Sequence, residues 1–340
     1  MTIPLAMPRL AALAAALVVL GPLAALAQET EPEQVDLPEE DRLRQHLLKL
    51  EWRGVTQLLR WEQRVDRVQK TRANTSSNPQ ELALLSDDED AGVRFYVAAN
   101  RHTPLGTRLA LATDEEATVR AGVAMSLAYD PLASSAIVEA TEHLALALAR
   151  DNNVLVRLVL LENGRLPGAL FDTLATDPDP IVRLRVAEGL YTPAHVLATL
   201  SADSVATVQL AAVGHANLPL SRLSELSFSP DPVLRMAVCG NVNTPSTVLD
   251  SLAADAHPGV RQLVASHPNT PLGTLVLLAG DPDVNVVMAV AEHPSAGRQL
   301  LTRLAFDDRD GGIRMAAQRR LEPLLRREIR EDILERYDSN

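Results

Sequence analysis

Aspartate and arginine recur six residues apart along much of the chain, and such pairs could serve acid–base chemistry or bind phosphate. The pairs are Asp88 with Arg94, Asp114 with Arg120, Asp151 with Arg157, Asp177 with Arg183, and Asp255 with Arg261. Their regular recurrence favours a structural explanation, because a residue repeated in every unit of a periodic fold is usually part of its framework. We expect each aspartate to cap a helix and each arginine to reach an aspartate in a neighbouring unit. Gln209 and Val287 replace arginine at two positions, where we expect looser packing.

Histidine and asparagine share a second recurring position, which raises the question of a metal site. The residues at this position are His215, His267, His293, Asn100, Asn163 and Asn241. A metal ion needs ligands that converge on it at short distances, whereas equivalent residues on adjacent helices lie roughly 8–10 Å apart. Both side chains can donate and accept hydrogen bonds, so we expect them to fix the turn between two helices. The sequence therefore predicts no metal site and no cofactor.

The chain contains one cysteine, Cys239, which is predicted to be a buried and inert thiol. Equivalent positions in other units hold small apolar residues (Val213, Ala265 and Ala291). The motifs of serine hydrolases, zinc proteases and phosphate-binding loops are absent from the sequence. We therefore predict that the protein is not an enzyme and has no catalytic residues. One non-periodic group, Glu188, Tyr191 and His195, leaves a helical-repeat enzyme of the lyase type open as an alternative.

A period of 26 residues runs through most of the chain and accounts for these recurring positions. It is marked by pairs of the Val-Arg type, by single leucines and by Thr-Pro pairs. The Val-Arg type pairs begin at Val93, Val119, Val156, Val182, Val208, Leu234, Val260 and Val286. The leucines include Leu111, Leu148, Leu174, Leu200, Leu226, Leu252, Leu278 and Leu304, and the Thr-Pro pairs begin at Thr103, Thr192, Thr244 and Thr270. Three independent markers in one phase indicate a tandem-repeat protein.

Each unit is predicted to contain two short helices. A Thr-Pro pair is typical of a helix start, with Thr at the N-cap and Pro as the first helical residue. Asp177-Pro178 and Asp281-Pro282 predict the start of the second helix in the same way. Helices of about ten residues are marginal alone in water, so neighbouring units must complete the core. Aromatic residues make up only 3% of the chain, which fits a core of Leu, Val and Ala. The sequence predicts an all-α solenoid over residues 74–314.

One interval, between Val119 and Val156, is 37 residues long instead of 26. The 11 additional residues fall near 130–142, and no helix breaker occurs between Leu132 and Arg150. Eleven residues make about three helical turns, so the insertion is expected to lengthen a helix without rotating its apolar face. The unit should protrude from the stack, either as a contact site or as an insertion without a role.

Residues 1–27 have the features of a secretory signal peptide. Arg9 precedes an apolar run, and Ala25-Leu26-Ala27 provides the small residues of a cleavage site. Cleavage after Ala27 predicts a periplasmic or secreted protein of a bacterium, and retention of the segment as an anchor helix is the alternative. No later stretch is long and apolar enough to predict a membrane span.

The segments that flank the repeats are predicted to have supporting roles. Residues 28–42 are rich in acidic residues and predict a disordered linker. Residues 43–73 predict N-terminal capping helices, and residues 315–340 predict a C-terminal capping helix. The chain has a net charge of −12, which repels the phosphate backbone of nucleic acids and argues against that class of partner.

The run from Leu252 to Pro271, LAADAHPGVRQLVASHPNTP, resembles the leucine-rich repeat variant family and, more distantly, HEAT repeats. The resemblance covers about residues 74–314. It implies two layers of short parallel helices, one of them partly 3₁₀, wound into a right-handed superhelix. The founding member of the family also carries a cysteine-ligated iron–sulfur module, which the single thiol of this chain cannot provide.

Repeats of this kind favour binding over catalysis, because stacked helices create extended surfaces and few pockets. The sequence predicts an extracytoplasmic scaffold, a monomer or weak oligomer, that binds a partner protein or a component of the cell envelope. A purely structural spacer in the envelope is the other alternative. The identity of the ligand and the face that binds it are left open.

Overall fold

A computed structural model of the chain describes residues 67–127, 134–162, 167–307 and 309–338, which all belong to one compact unit spanning residues 47–340. Every regular element in these ranges is a helix, as predicted. The helices are α1 (Arg67–Thr75), α2 (Pro79–Leu85), α3 (Ala91–Ala99), α4 (Leu105–Leu111), α5 (Ala117–Ser126), α6 (Ser135–Leu148), α7 (Val154–Leu161), α8 (Gly168–Ala175), α9 (Pro180–Glu188), α10 (Ala194–Leu200), α11 (Ala206–Gly214), α12 (Leu220–Leu226), α13 (Pro232–Gly240), α14 (Ser246–Leu252), α15 (Pro258–Ser266), α16 (Leu272–Leu278), α17 (Val284–Glu292), α18 (Arg298–Leu304) and α19 (Gly311–Asp338).

The helices alternate between two layers, and each repeat unit contributes one helix to each. The even-numbered helices, called A helices, have seven or eight residues apart from α6, and the odd-numbered B helices from α1 to α17 have eight to ten. Each B helix packs against the B helices of the preceding and following units, while the A helices pack against the B layer. The chain turns from A to B within a unit along one edge, the AB edge, and from B to the next A along the other, the BA edge. The handedness of the superhelix stays a prediction.

The core between the layers is made of the leucine and valine markers. The leucine row of the A helices is buried from Leu111 to Leu304, and the first residue of the Val-Arg type pair is buried in all eight units. Burying one such side chain contributes about 1.5–3 kcal/mol, which a single short helix cannot gain in isolation. The stack thus depends on contacts between units, as the period predicts.

The B helices begin two residues later than their Asp-Pro pairs predict. The N-cap of α9 is Asp179, whose carboxylate accepts a hydrogen bond from the amide of Ile181, and the N-cap of α17 is Asp283. Asp177 lies outside the helix and accepts a hydrogen bond from the amide of Asp179 at 2.8 Å. The prediction that the recurring aspartate caps the helix is therefore wrong, because this aspartate fixes the turn before the N-cap.

The Thr-Pro pairs precede the A helices by one residue, and the prediction that Thr is the N-cap is also wrong. Pro193 is the N-cap of α10, and Thr192 is fully buried. The hydroxyl of Thr192 donates to the carbonyl of Val186 in the preceding B helix, and Thr103 donates to Val97 in the same way. The threonine is therefore used to satisfy a carbonyl at the end of one helix rather than to start the next.

The insertion lengthens α6 to 14 residues, which is seven more than α4 and therefore two helical turns rather than three. The other inserted residues fall at positions 128–133, outside the described residues. The first three residues of α6 are exposed, including Ile137, whereas Leu144 and Leu148 pack in the core. The helix therefore extends beyond the packed layer at its N-terminal end.

At the C-terminal end, the predicted capping helix is part of a longer helix, α19, which begins at Gly311 and contains Pro323. It packs against α17 and α18. Of the predicted N-terminal caps, α1 is described and packs against α3, and the remainder lies outside the described residues, as do the signal peptide and the acidic linker. None of the helices in the described ranges has the length and hydropathy needed to cross a bilayer.

Candidate binding surface

The recurring arginines and aspartates join neighbouring units along the AB edge. In each pair the arginine Nε donates to Oδ2 of the next unit's aspartate at 2.6–2.7 Å, and Nη2 donates to Oδ1 at 2.8–3.0 Å. The pairs are Arg94–Asp114, Arg120–Asp151, Arg157–Asp177, Arg183–Asp203, Arg235–Asp255 and Arg261–Asp281. The predicted reach into a neighbouring unit is confirmed. The bidentate geometry is the strongest that an arginine and a carboxylate can adopt.

The series of six arginine–aspartate pairs along the AB edge is called the ladder. Each ladder arginine also forms a hydrogen bond within its own unit. The Nη1 of Arg183 donates to the carbonyl of Asp177 at 2.7 Å, and equivalent bonds occur in the other five pairs. Hydrogen bonds from Arg235 and from the amide of His257 lower the pKa of Asp255. Burial opposes this effect at Asp203 and Asp281, but the arginine and backbone hydrogen bonds outweigh it and the pKa of each is lowered. The carboxylates of these pairs are thus hydrogen-bonded between neighbouring units.

The prediction of looser packing at Val287 is wrong, because another arginine supplies the missing guanidinium. Arg309 donates from Nη1 to the carbonyl of Asp281 at 2.7 Å, the same carbonyl that an arginine at position 287 would reach. Arg309 also donates from Nε and Nη2 to the carboxylate of Asp307. Val287 itself is fully buried. A residue 22 positions later in the sequence thereby keeps the ladder continuous.

The position of Gln209 is an actual break, because both partners of the pair are replaced. Its expected partner in the next unit is Ser229 rather than aspartate. Gln209 donates from Nε2 to the carbonyl of Ser201 in its own unit at 3.0 Å. The hydroxyl of Ser229 accepts only a long bond from the amide of Asp231, at 3.2 Å. No ion pair between the side chains of α11 and the turn before α13 replaces the ladder within the described residues.

Asparagine and histidine join the units along the BA edge. Asn241 donates from Nδ2 to the carbonyls of Val213 and His215 in the preceding unit, at 2.7 and 2.9 Å. The ring Nε2 of His267 and of His293 bonds the carbonyl of the equivalent residue one unit earlier, at 3.0 and 2.9 Å. The other polar atom of each side chain accepts from the amide two residues later. These residues fix the turn, as predicted, and additionally hold adjacent units together.

This geometry leaves no free ligand on the histidine row. In His267 and His293, Nδ1 accepts from a backbone amide, which makes Nε2 the protonated nitrogen that donates to a carbonyl. Both nitrogens of each ring are occupied by the backbone. Among the described residues, no three His, Cys, Asp or Glu side chains are close enough together to hold a metal ion. Asn163, the remaining member of the row, lies outside the described residues.

The non-periodic group Glu188, Tyr191 and His195 is exposed and does not form a pocket with hydrogen bonds among its members. His195 contacts Asp172 through Nε2 at 2.8 Å, and both side chains are more than half exposed. Glu188 lies 3.8 Å from Arg185 on its own helix. His195 and Glu188 therefore each have a partner outside the set.

Cys239 lies in the core of the B layer, as predicted. Its side chain is only 2% exposed. Burial raises the pKa of its thiol to about 12, so the reactive thiolate is not populated near neutral pH.

The outward side of the B layer is apolar over several consecutive units, and this surface is called the B face. Its central row is formed by half-buried side chains at one repeat position (Leu158, Leu184, Leu210 and Met236, with Met288 two units later). Flanking positions on α11 and α13 hold Ala211, Ala237 and Val233. The period located these residues, but apolar residues at a periodic position are easily assigned to the core from sequence alone.

The B face carries little charge in its middle section. The repeat position at the C-terminal end of the B helices is exposed from α7 to α17, in the order Glu162, Glu188, Gly214, Gly240, Ser266 and Glu292. A Cβ at Gly214 or Gly240 would meet no other atom of the chain. The backbone of α11 and α13 is consequently accessible from outside between two acidic borders.

Shallow grooves occur on the described surface at the B face and at the AB edge. One, of about 280 Å³, continues the B face between α15 and α17 and is lined by Gln262, Asn285, Met288 and Glu292. The other, of about 650 Å³, lies at the AB edge and contains Asp88, Asp114 and Arg94. Arg94 and Asp114 of the second groove already pair with each other, and Asp87, Glu89 and Glu115 add further acidic side chains to its lining.

The model of the family described as "Leucine rich repeat variant" matches residues 258–283, which span α15, α16 and the turn that follows. A solved structure described as "A leucine-rich repeat variant with a novel repetitive protein structural motif" is 25% identical, with a TM-score of 0.48 over 68% of this chain and 87% of that chain. Among curated proteins the comparison finds no match. The resemblance predicted from the sequence is confirmed: this all-helical chain carries a repeat of the leucine-rich repeat variant type at residues 258–283.

Proposed function

We propose that the protein is a non-enzymatic scaffold that acts outside the cytoplasm and binds a partner protein on its B face. A fold of tandem helix pairs is typical of protein-interaction scaffolds. The observation that supports this surface is the row of half-buried apolar side chains from Leu158 to Met236, which repeats on four consecutive B helices.

This row differs from the other recurring positions of the repeat. The arginines, aspartates, histidines and asparagines of the two edges each have a partner that explains their presence. The side chains of the apolar row pack against the core, but the part of each side chain that stays exposed is not buried by the fold. Contiguous apolar surface of this kind is typical of sites that bind other proteins.

The chemistry of the B face points to a partner segment with apolar side chains. Between Glu188 and Glu292 the row contains no charged residue at the helix ends, and α11 contains no charged residue at all. The accessible backbone at Gly214 and Gly240 permits a close approach of another chain. A helix laid across the B helices would cover this surface with its own apolar face.

The proposal is tested by site-specific photocrosslinking. A photoreactive phenylalanine analogue is placed at Leu210 or Met236 on the B face, and at Leu272 or Leu277 on the A layer as matched controls with exposed apolar side chains. We expect a discrete crosslinked protein from the two B-face positions and none from the controls. Equal crosslinking at all four positions, or none at any, contradicts the proposal.

A second experiment separates binding from folding. Leu210→Glu places a charge in the centre of the B face and is expected to abolish capture of the crosslinked partner, while Leu277→Glu leaves it unchanged. Circular dichroism confirms that both variants retain their helices. If both variants capture the partner equally, the B face is not the interface. If no surface substitution has any effect, the alternative of a structural spacer is favoured.

The location outside the cytoplasm depends on residues 1–27. Export is expected to remove this segment, so the mature protein recovered from the periplasm or the medium should begin at Gln28. N-terminal sequencing of the recovered protein tests this. Recovery of a chain that begins at Met1 from the membrane fraction would favour the anchor alternative.

A further inference from the structure

We propose that the joint between α11 and α13 is a hinge that opens at the AB edge and turns about the BA edge. A joint here means the contact between two consecutive B helices with their adjoining turns. The proposal does not depend on the B face or on any partner, because it follows from the hydrogen bonds that connect the units.

The AB edge of this joint lacks the connection that its neighbours have. On one side Arg183 binds Asp203, and on the other Arg235 binds Asp255, each through two hydrogen bonds. Between them stand Gln209 and Ser229, which form no bond with each other, since Gln209 is turned to Ser201 of its own unit. In place of the bidentate ion pair, this edge has one bond between the units, from Arg222 Nε to the hydroxyl of Ser201 at 2.8 Å. From α3 to α19 this is the one joint in the described part of the chain that lacks either the arginine pair or the substitute from Arg309.

The BA edge of the same joint is fully connected. Asn241 bonds two carbonyls of the preceding unit, and Asn243 donates from Nδ2 to the carbonyl of Ala216 at 2.8 Å. Asn241 is fully buried, so water does not compete for these bonds. Units held by several buried bonds at one edge, and by one bond from Arg222 at the other, separate most readily by rotating about the more strongly connected edge.

The neighbouring joints are held at both edges. The joint between α9 and α11 combines the Arg183 pair with a bond from His215 Nε2 to the carbonyl of Gly189 at 3.1 Å. The joint between α13 and α15 combines the Arg235 pair with the bond from His267 to Asn241. The asymmetry is therefore local to α11 and α13, and the rest of this region moves as two stiffer segments.

The test measures the distance across the AB edge with pairs of spin labels. In a Cys239→Ala background, labels are attached at Ala202→Cys and Phe228→Cys to span the hinge, and at Ala254→Cys and Gly280→Cys to span the closed joint two units later. All four labelled positions are exposed turn residues at the same position of the 26-residue repeat. We expect a distance distribution across the hinge at least twofold broader than across the control joint.

Two further double variants test whether the missing arginine–aspartate pair causes the broad distance distribution. One restores the pair at the hinge, and the other removes it at the control joint. The double variant Gln209→Arg with Ser229→Asp recreates the ladder pair and is expected to narrow the hinge distribution to the width of the control, whereas either substitution alone is not. The converse pair, Arg261→Gln with Asp281→Ser, is expected to broaden the distribution at the control joint. Equal widths at the two native joints, or a hinge distribution unchanged by the double repair in a chain of native helical content, would overturn the proposal.

Discussion

The two edges of the array solve the same problem with different chemistry. Along the AB edge, charged groups pair across units, as in Arg157 with Asp177, whose side chains are 9% and 3% exposed. Along the BA edge, neutral side chains such as Asn241 and His293 bond backbone carbonyls directly. The connection between units at the charged edge requires two side chains in different units. At the neutral edge it requires one side chain, because its partner is a backbone carbonyl that every residue provides.

This difference explains why the edges vary in different ways. The charged pair can be lost in full, as at Gln209 and Ser229, or supplied from elsewhere, as by Arg309. The neutral edge accepts either Asn or His, because each presents one acceptor to its own turn and one donor to the preceding unit. Asn241 bonds two carbonyls and His267 bonds one, so the two residues are not equivalent in strength.

The largest effect is expected from breaking a buried charged pair. Asp177→Ala leaves the guanidinium of Arg157 buried without its carboxylate and removes the acceptor for the amide of Asp179. We expect a loss of about 3 kcal/mol in the free energy of unfolding, measured by urea denaturation. Asp172→Ala, which removes an exposed partner of His195, serves as the control, with an expected loss below about 1 kcal/mol. Equal losses would show that burial of the pair is not what matters.

On the neutral edge, Asn241→Ala is expected to cost about 2 kcal/mol, because two carbonyls lose their donor in a buried place. Asn241→His should recover part of this loss, since histidine fills the equivalent position at His267. The measurement is again urea denaturation. A His variant no more stable than the Ala variant would contradict the view that the two residues do the same work.

The substitute arginine gives a smaller effect. Arg309→Ala removes donors to the carbonyls of Asp281 and Ala279 near the C-terminal end of the array. We expect a loss of about 1 kcal/mol and faster amide hydrogen exchange in α17 and α18. Arg326→Ala, at an exposed pair with Glu322 on α19, is the control and should leave exchange in α17 unchanged. Unchanged exchange in both variants would show that Arg309 does not complete the ladder.

The smallest effect concerns Cys239, whose reaction with a maleimide should be slow at pH 7 because burial raises the pKa of its thiol to about 12. The labelling rate should rise with urea and follow the opening of α13. Reaction as fast as that of a free thiol in the native protein would show that the core at α13 is open to solvent.

The period was sufficient to predict the helix pairs, the core rows and the reach of Arg183 to a neighbouring aspartate. The period did not predict the hydrogen bonds of Asp177 and Thr192. A repeat shows which positions are equivalent, but it does not show which atoms form hydrogen bonds with each other. Val287 shows the same limit. The arginine that supplies the missing guanidinium, Arg309, does not occupy the repeat position of the ladder arginines, so the period does not identify it. The apolar B face was missed because a half-exposed leucine has the same sequence signature as a buried one.

The difference between the charged edge and the neutral edge is tested most directly by the pH dependence of two losses in the free energy of unfolding, one caused by Asp255→Ala and the other by Asn241→Ala. The pKa of Asp255 is lowered in the folded state, so its pairing with Arg235 stabilises the protein at neutral pH, and this contribution is lost as the pH falls through the lowered pKa. The destabilisation caused by Asp255→Ala should therefore shrink as the pH is reduced from 7 to about 3, whereas that caused by Asn241→Ala should persist. Penalties that fall in parallel, or an Asp255→Ala penalty independent of pH, would contradict the account.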